Sequence, residues 1–237
     1  MIKMVVSSFY NTLINSEEAI STKTMIEIER IRKKGILFVV TTNRLYKEVL
    51  EYNKDFPFID YIVSLNGSCL YNVEKNTVIF KKKLTHTKIK KISEIVKNQG
   101  IMYYTTNERY DDITNTENQD IYKIEIDLST ITEKEQNEIK KMKVNTSILK
   151  KEEKDYLEIT NYHANMFTGV DQIALKNNIS LDEIITISGN ESEINIVQNI
   201  KKSYIVKNAS PSLKTITKKQ TSSCNENGVE EIIKRIK

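Results

Sequence analysis

The chain has 237 residues, and its 36 lysines and arginines against 32 acids give a formal charge of +4. Hydrophobic residues make up 39% and charged residues 29%, which excludes a disordered chain. Two cysteines, Cys69 and Cys224, are too few and too far apart for a disulfide framework or a zinc quartet.

No apolar stretch approaches the roughly 18 residues of a membrane span, and residues 2–6 are too short for the apolar part of a signal peptide. A cytoplasmic location with no membrane partner is therefore expected. Two histidines leave little room for His-rich metal chemistry, so carboxylates are the first reactive groups to consider.

In chain order, residues 2–6 form a β-branched apolar run and predict a buried strand. Ser21 stands at the N-cap of the next helix, with Ile20 and Met25 placed as a hydrophobic staple. Met25, Ile28 and Ile31 share one side of it, and Gly35 stops it. A strand at 36–40, a helix at 45–52 and a strand at 60–65 follow, the last broken by the turn dipeptide Asn66-Gly67. Alternating strands and helices with strands buried on both faces predict a parallel sheet wrapped by helices.

The run Lys81-Lys82-Lys83, followed by Lys88, Lys90 and Lys91, reads as a solvated helix start. Residues 86–97 carry a helical pattern ending at Gly100, and 101–105 a strand. A polar stretch, 106–120, follows. Over 121–128 charged residues Lys123, Glu125 and Asp127 alternate with Tyr122, Ile124 and Ile126, which predicts a half-buried strand. A charged helix at 132–141 precedes short strands near 144–149 and 156–159. This middle part predicts an open sheet with helices on one face.

The first pattern then returns. Asp171–Lys176 begins a helix, 184–187 is a strand, Ile194, Val197 and Ile200 mark a helix, and 204–206 is a strand. Gly228 opens a last helix in which Val229, Ile232, Ile233 and Ile236 share one face.

Residues 4–14, a buried strand running into Ser8-Phe9-Tyr10-Asn11-Thr12-Leu13, resemble the D-x-D-x-T-L opening motif of the haloacid dehalogenase superfamily. Thr41-Thr42-Asn43-Arg44 resembles the A/S-T-G-R of its Cof-type members, and Leu65-Asn66-Gly67-Ser68 their S/T-N-G-A. Thr168-Gly169 lies where that family has K-G. Residues 187–194, with Gly189, Asn190 and Glu193, lie where it reads I-G-D-x-x-N-D-I. Val206-Lys207-Asn208-Ala209 and Asn227-Gly228-Val229 resemble its M-G-N-A and closing D-G-V. The resemblance implies a doubly wound α/β core, residues 1–81 and 161–237, with a small α+β cap, residues 82–160, inserted between its halves.

In that family the first Asp attacks phosphorus, the second Asp is the acid and base, a Thr or Ser and a Lys hold the phosphoryl oxygens, and acids hold Mg²⁺. By resemblance this chain has Ser8 at the nucleophile position, Tyr10 at the acid/base position and Thr168 at the lysine position. Gly189 replaces a metal ligand, and Glu193 is the retained acid. Ser8 would need a base, and Tyr10 with an ordinary pKa near 10 is a poor one at neutral pH. The expected pocket comprises Ser8, Tyr10, Thr42, Asn43, Asn66, Thr168 and Asn190, with no metal or other cofactor.

A binding or regulatory protein that has lost phosphatase chemistry is the leading expectation, with a small phosphorylated ligand or a protein as partner. Two alternatives stand beside it. One is a Mg²⁺-dependent phosphatase acting on sugar or nucleotide phosphates; the other is nucleic-acid binding through the Lys81–Lys91 region. For the remaining candidates the plainer readings are adopted: His163 as a surface-turn residue, Cys69 as a small buried hydrophobe.

Overall fold

The structure, a computed structural model, describes residues 1–54, 57–111, 119–151 and 153–237. Its first part runs β1 (Met4–Ser8), α1 (Thr22–Arg32), β2 (Leu37–Thr41), α2 (Tyr46–Asn53), β3 (Tyr61–Ser64), β4 (Cys69–Asn72) and β5 (Thr77–Lys81). The middle follows as α3 (His86–Ile95), β6 (Ile101–Tyr104), β7 (Arg109–Tyr110), β8 (Lys123–Asp127), α4 (Glu133–Lys140), β9 (Val144–Lys150) and β10 (Asp155–Asn161). The last part is α5 (Met166–Lys176), β11 (Ile184–Ser188), α6 (Ile194–Asn199), β12 (Ser203–Val206), α7 (Pro211–Ile216), β13 (Gln220–Thr221) and α8 (Gly228–Lys234).

An eight-stranded sheet has the order β13-β12-β11-β1-β2-β3-β4-β5. Its strands pair parallel from β13 to β3, and the β4–β5 hairpin closes one edge antiparallel. Alternate residues of β1 feed two cores, as a doubly wound sheet requires. Val5 packs with Phe38, Ile62 and Ile187 beneath α1, α2 and α8. Met4 and Val6 pack with Val39, Val63 and the Met166, Val170 and Ile173 face of α5. Each such fully buried side chain contributes about 1.5–3 kcal/mol.

The middle part forms a second, five-stranded antiparallel sheet of order β7-β6-β8-β10-β9. Ile124, Ile126, Leu157 and Ile159 turn one face of it onto Ile89 and Ile92 of α3 and Ile139 of α4. The α/β class and the inserted sheet with helices on one face are as expected.

Five details differ from the sequence reading. The strand at 121–128 is not half-buried: Lys123, Glu125 and Asp127 are buried too, because their face of the sheet lies against the core rather than water. The helix expected from Asp171 starts at Met166, where Asn165 accepts from the Thr168 amide at 2.9 Å and caps it. The β4–β5 hairpin, α7 and β13 were not anticipated; they are short elements with little periodicity to read. Lys81 ends a strand, and the helix beyond it starts at His86 with Thr85 as its cap, so the lysine run is divided between two elements. Within the polar stretch 106–120 Arg109–Tyr110 forms the two-residue strand β7, and 112–118 lies outside the described residues.

Candidate functional site

β1 and β11 are neighbours at the centre of the large sheet, and the chain leaves them toward opposite edges. This is a topological switch point, where the carboxyl ends of parallel strands open a crevice. Ser8 ends β1 there, and Gly189 and Asn190 follow β11. Beyond Ser8 the chain turns sharply at Asn11, whose φ of 56° is left-handed, a conformation asparagine tolerates.

Asparagine amides stitch these loops together. Asn190 Nδ2 donates to Ser8 Oγ at 2.7 Å and to the Tyr10 carbonyl at 3.2 Å. Asn208 Nδ2 donates to the Asn11 carbonyl at 2.9 Å. Asn190 also stands at the N-cap of the turn that carries Glu193, and the Glu193 amide donates to the Asn190 carbonyl at 3.1 Å. Ser8 is therefore a buried hydroxyl held by an amide, with its backbone at the end of a strand.

Glu193 lies behind it, 1% exposed. Thr41 donates to its Oε1 at 2.6 Å, and the amides of Gly189 and Asn190 donate to its Oε2 at 3.1 and 3.2 Å. Burial pushes its carboxyl above the usual carboxylate range, against the pull of these bonds and of one from Ser8. The carboxylate is thus engaged as a structural acceptor within the loop.

Tyr10 stands at the mouth. Its ring carries the Arg44 guanidinium 3.8 Å above its centre and meets Phe9 edge-on at 5.0 Å. Burial pushes the phenol up to about 12, with nearby Arg44 opposing, so Tyr10 is protonated at neutral pH. Thr42 turns inward and accepts from the Arg44 amide at 3.1 Å. It is not a helix cap: α2 begins after Leu45.

Asn43 and Asn66 point to the second sheet. Asn66, left-handed at φ 55°, sits in the Asn66-Gly67 turn after β3. Its Nδ2 donates to Glu158 Oε2 at 2.7 Å, and Asn43 Nδ2 donates to Glu158 Oε1 at 3.0 Å. Lys123 Nζ meets Glu158 Oε1 at 2.7 Å, Glu125 Oε1 at 2.6 Å and the Asn43 carbonyl at 2.7 Å. Ser147 Oγ completes the set, donating to Glu158 Oε2 at 2.8 Å. Burial alone would lower the Lys123 pKa, but Glu158 and Glu125 outweigh it and raise it. For Glu125, burial is likewise outweighed, by Lys123 and by the Tyr104 hydroxyl at 2.7 Å, and its pKa falls.

The expected pocket residues therefore divide. Ser8, Tyr10 and Asn190 come together at the switch point, and Asn43 and Asn66 meet the cap sheet. Thr168 joins neither group: its hydroxyl donates to the Asn165 carbonyl at 2.8 Å and accepts from the Asn165 amide at 3.0 Å inside the first turn of α5. His163 is exposed in a turn against Tyr162, and Cys69 is buried, its thiol pushed up to about 11 chiefly by that burial. Lys123, Glu125, Ser147 and Glu158 were not read as site residues. The signal for Lys123 and Glu125 was the run of three charges at every second position of β8, opposite a face of isoleucines; Ser147 and Glu158 lie on β9 and β10.

Magnesium, which the resemblance implies, does not fit these donors. A hydroxyl and a glycine stand at two ligand positions, and the one acid is consumed by four hydrogen-bond donors. Among the described residues no three His, Cys, Asp or Glu side chains converge.

The sequence model of haloacid dehalogenase-like hydrolases matches residues 10–110 and 102–233. A curated Haemophilus influenzae protein named "Putative phosphatase" is 23% identical over 256 residues, 98% of this chain and 97% of its own. A haloacid dehalogenase-like hydrolase of B. subtilis has the same fold, with a TM-score of 0.86 at 15% identity over 100% of both chains. A subclass IIB sugar phosphatase of that superfamily gives a TM-score of 0.82 at 17% identity over 98% of each chain.

Proposed function

The chain belongs to the haloacid dehalogenase-like hydrolases, of Cof type, and we propose that this member binds a ligand in its cleft without transferring phosphoryl groups. One observation carries the reading. The side chain at the end of β1 is the Ser8 hydroxyl, tied to the Asn190 amide, and the neighbouring acid Glu193 is buried and fully engaged. Attack on phosphorus by a hydroxyl, unlike attack by a carboxylate, needs a base to take its proton, and Tyr10, protonated at neutral pH, is no such base. The retained scaffold then serves binding or regulation, with a small anionic ligand or a protein as partner.

A cytoplasmic setting is part of the same proposal. Both cysteines are free and, among the described residues, no helix is long and apolar enough to cross a membrane.

The test is turnover with Mg²⁺ across aryl, sugar and nucleotide monophosphates. No hydrolysis above the blank is expected. Hydrolysis that disappears in Ser8→Ala would overturn the reading and favour the alternative, a phosphatase using a hydroxyl nucleophile. Nucleic-acid binding is the weaker reading, because Lys83 pairs with Asp120 and Lys88 donates to the Lys143 carbonyl.

A further inference from the structure

Glu158 is 2% exposed, yet its carboxylate is bonded more completely than any fold requirement of its strand demands. Each oxygen accepts two hydrogen bonds: Oε1 from Asn43 and Lys123, Oε2 from Asn66 and Ser147. The four donors come from two core loops and two strands of the cap sheet. A backbone on β10 needs none of them. Together they describe a seat for one carboxylate, built between the core loops and the cap sheet.

We propose that Asn43, Asn66, Lys123 and Ser147 form a carboxylate-binding site, that Glu158 fills it in cis as a tethered ligand, and that a free small carboxylate competes for it. Charge favours a carboxylate over a phosphate dianion. The seat holds one ammonium, Lys123, which it already shares with Glu125 at 2.6 Å. With Glu125 counted, a monoanion in the seat leaves the cluster with one net negative charge, as Glu158 does, and a dianion would leave it with two. The side-chain oxygen of Asn66, Oδ1, buried and without a hydrogen-bond partner, is a second sign of a ligand position. It leaves an acceptor beside the seat for a hydroxyl or ammonium on the ligand. A tethered carboxylate competes at an effective concentration on the order of millimolar or more. Glu158 therefore holds the cap sheet against the core loops until a stronger carboxylate ligand displaces it.

This deepens the reading of the cleft as a binding site by naming its ligand class. Its test does not use turnover, so either can fail alone. Acetate and glycolate are titrated against wild type, Glu158→Ala and the double variant with Lys123→Met, with calorimetry and the thermal midpoint as readouts. Chloride at equal ionic strength is the control. Glu158→Ala is expected to bind acetate saturably, at least about tenfold tighter than wild type. Glycolate should bind tighter still, and the double variant should lose both. A folded Glu158→Ala blind to acetate, or three proteins stabilised equally, would overturn the proposal. If Glu158→Ala does not fold in chloride, refolding in acetate reads the same seat. Recovery in acetate alone supports the proposal, and recovery in neither salt overturns it.

Discussion

The Thr41 hydroxyl donates to Glu193 Oε1 at 2.6 Å across 152 residues of sequence, joining the end of β2 to the loop after β11. Its meaning lies in what accompanies it. The other Glu193 oxygen takes two backbone amides, so neutral dipoles rather than a cation satisfy the buried acid. Dipoles offset only part of the desolvation of a charge, and the carboxyl pKa is raised.

A pH dependence of stability follows. The unfolded chain releases this proton near the ordinary value of 4.5, whereas the folded chain holds it to higher pH. Between the two values the folded state binds more protons, so its stability falls as pH rises, by about 1.4 kcal/mol per unit. Below 4.5 the contribution is complete; above the folded value it is lost. Glu193→Gln removes the group that titrates. The difference between variant and wild-type unfolding free energies should therefore move in the variant's favour as pH rises from 4.5. A difference that stays flat from pH 4 to 8 would show that Glu193 titrates normally.

Much of the architecture was legible, for one physical reason. Strands buried on both faces, such as 2–6, 36–40 and 184–187, are continuous apolar runs, and the helices between them carry caps and a single apolar side. The β4–β5 hairpin and the two-residue β13 were hidden because short edge strands need no pattern of their own. At the site, loop order alone brought Ser8 and Asn190 together. Thr168 was misread because a hydroxyl three residues into a helix looks the same whether it faces a ligand or caps its own turn. Lys123 and Glu158 were hidden more deeply. Alternation along β8 tells which side chains share a face, but not that another sheet covers that face.

That covered face sets the second expected outcome. Glu125 and Glu158 lie directly opposite each other on β8 and β10, a pairing of like charges that costs energy unless it is compensated. Lys123, two residues along, bridges both. Lys123→Met strands two buried carboxylates and should lower stability by about 3–5 kcal/mol, read from denaturant midpoints. Adding Glu125→Gln and Glu158→Gln removes the stranded charge and should restore more than half of the loss. A single variant as stable as wild type would mean that water reaches this interface.

Restoring family chemistry at position 189 meets a steric obstacle. A Cβ on Gly189 would lie 2.3 Å from Thr12 Oγ1 and 3.2 Å from Val206 Cγ2, and Thr12 is buried with its hydroxyl unpartnered. Gly189→Ala should cost about 1–3 kcal/mol through overpacking. Thr12→Ala should relieve it, giving a coupling of at least about 0.5 kcal/mol in a double-mutant cycle. Additive costs would place the strain elsewhere. Any variant that reintroduces an acid at 189 thus needs Thr12 changed with it.

The turn that presents Asn66 to the cap gives the last expected outcome. Gly67 has φ 86°, and a Cβ there would lie 2.0 Å from the Asn165 carbonyl oxygen, the backbone that caps α5. Gly35, after α1, has a similar φ of 76° but nothing within 4 Å of its absent Cβ. The pair separates two effects that glycine substitution usually mixes. Gly35→Ala meets only the left-handed penalty, about 1–2 kcal/mol. Gly67→Ala adds a backbone collision that no rotamer relieves, so about 2–5 kcal/mol is expected. It should also move Asn66 off Glu158, so hydrogen exchange at 65–68 and in β10 should rise together. Equal losses for the two variants would show that α5 can retreat from the turn, and that close approach does not fix the position of Asn66.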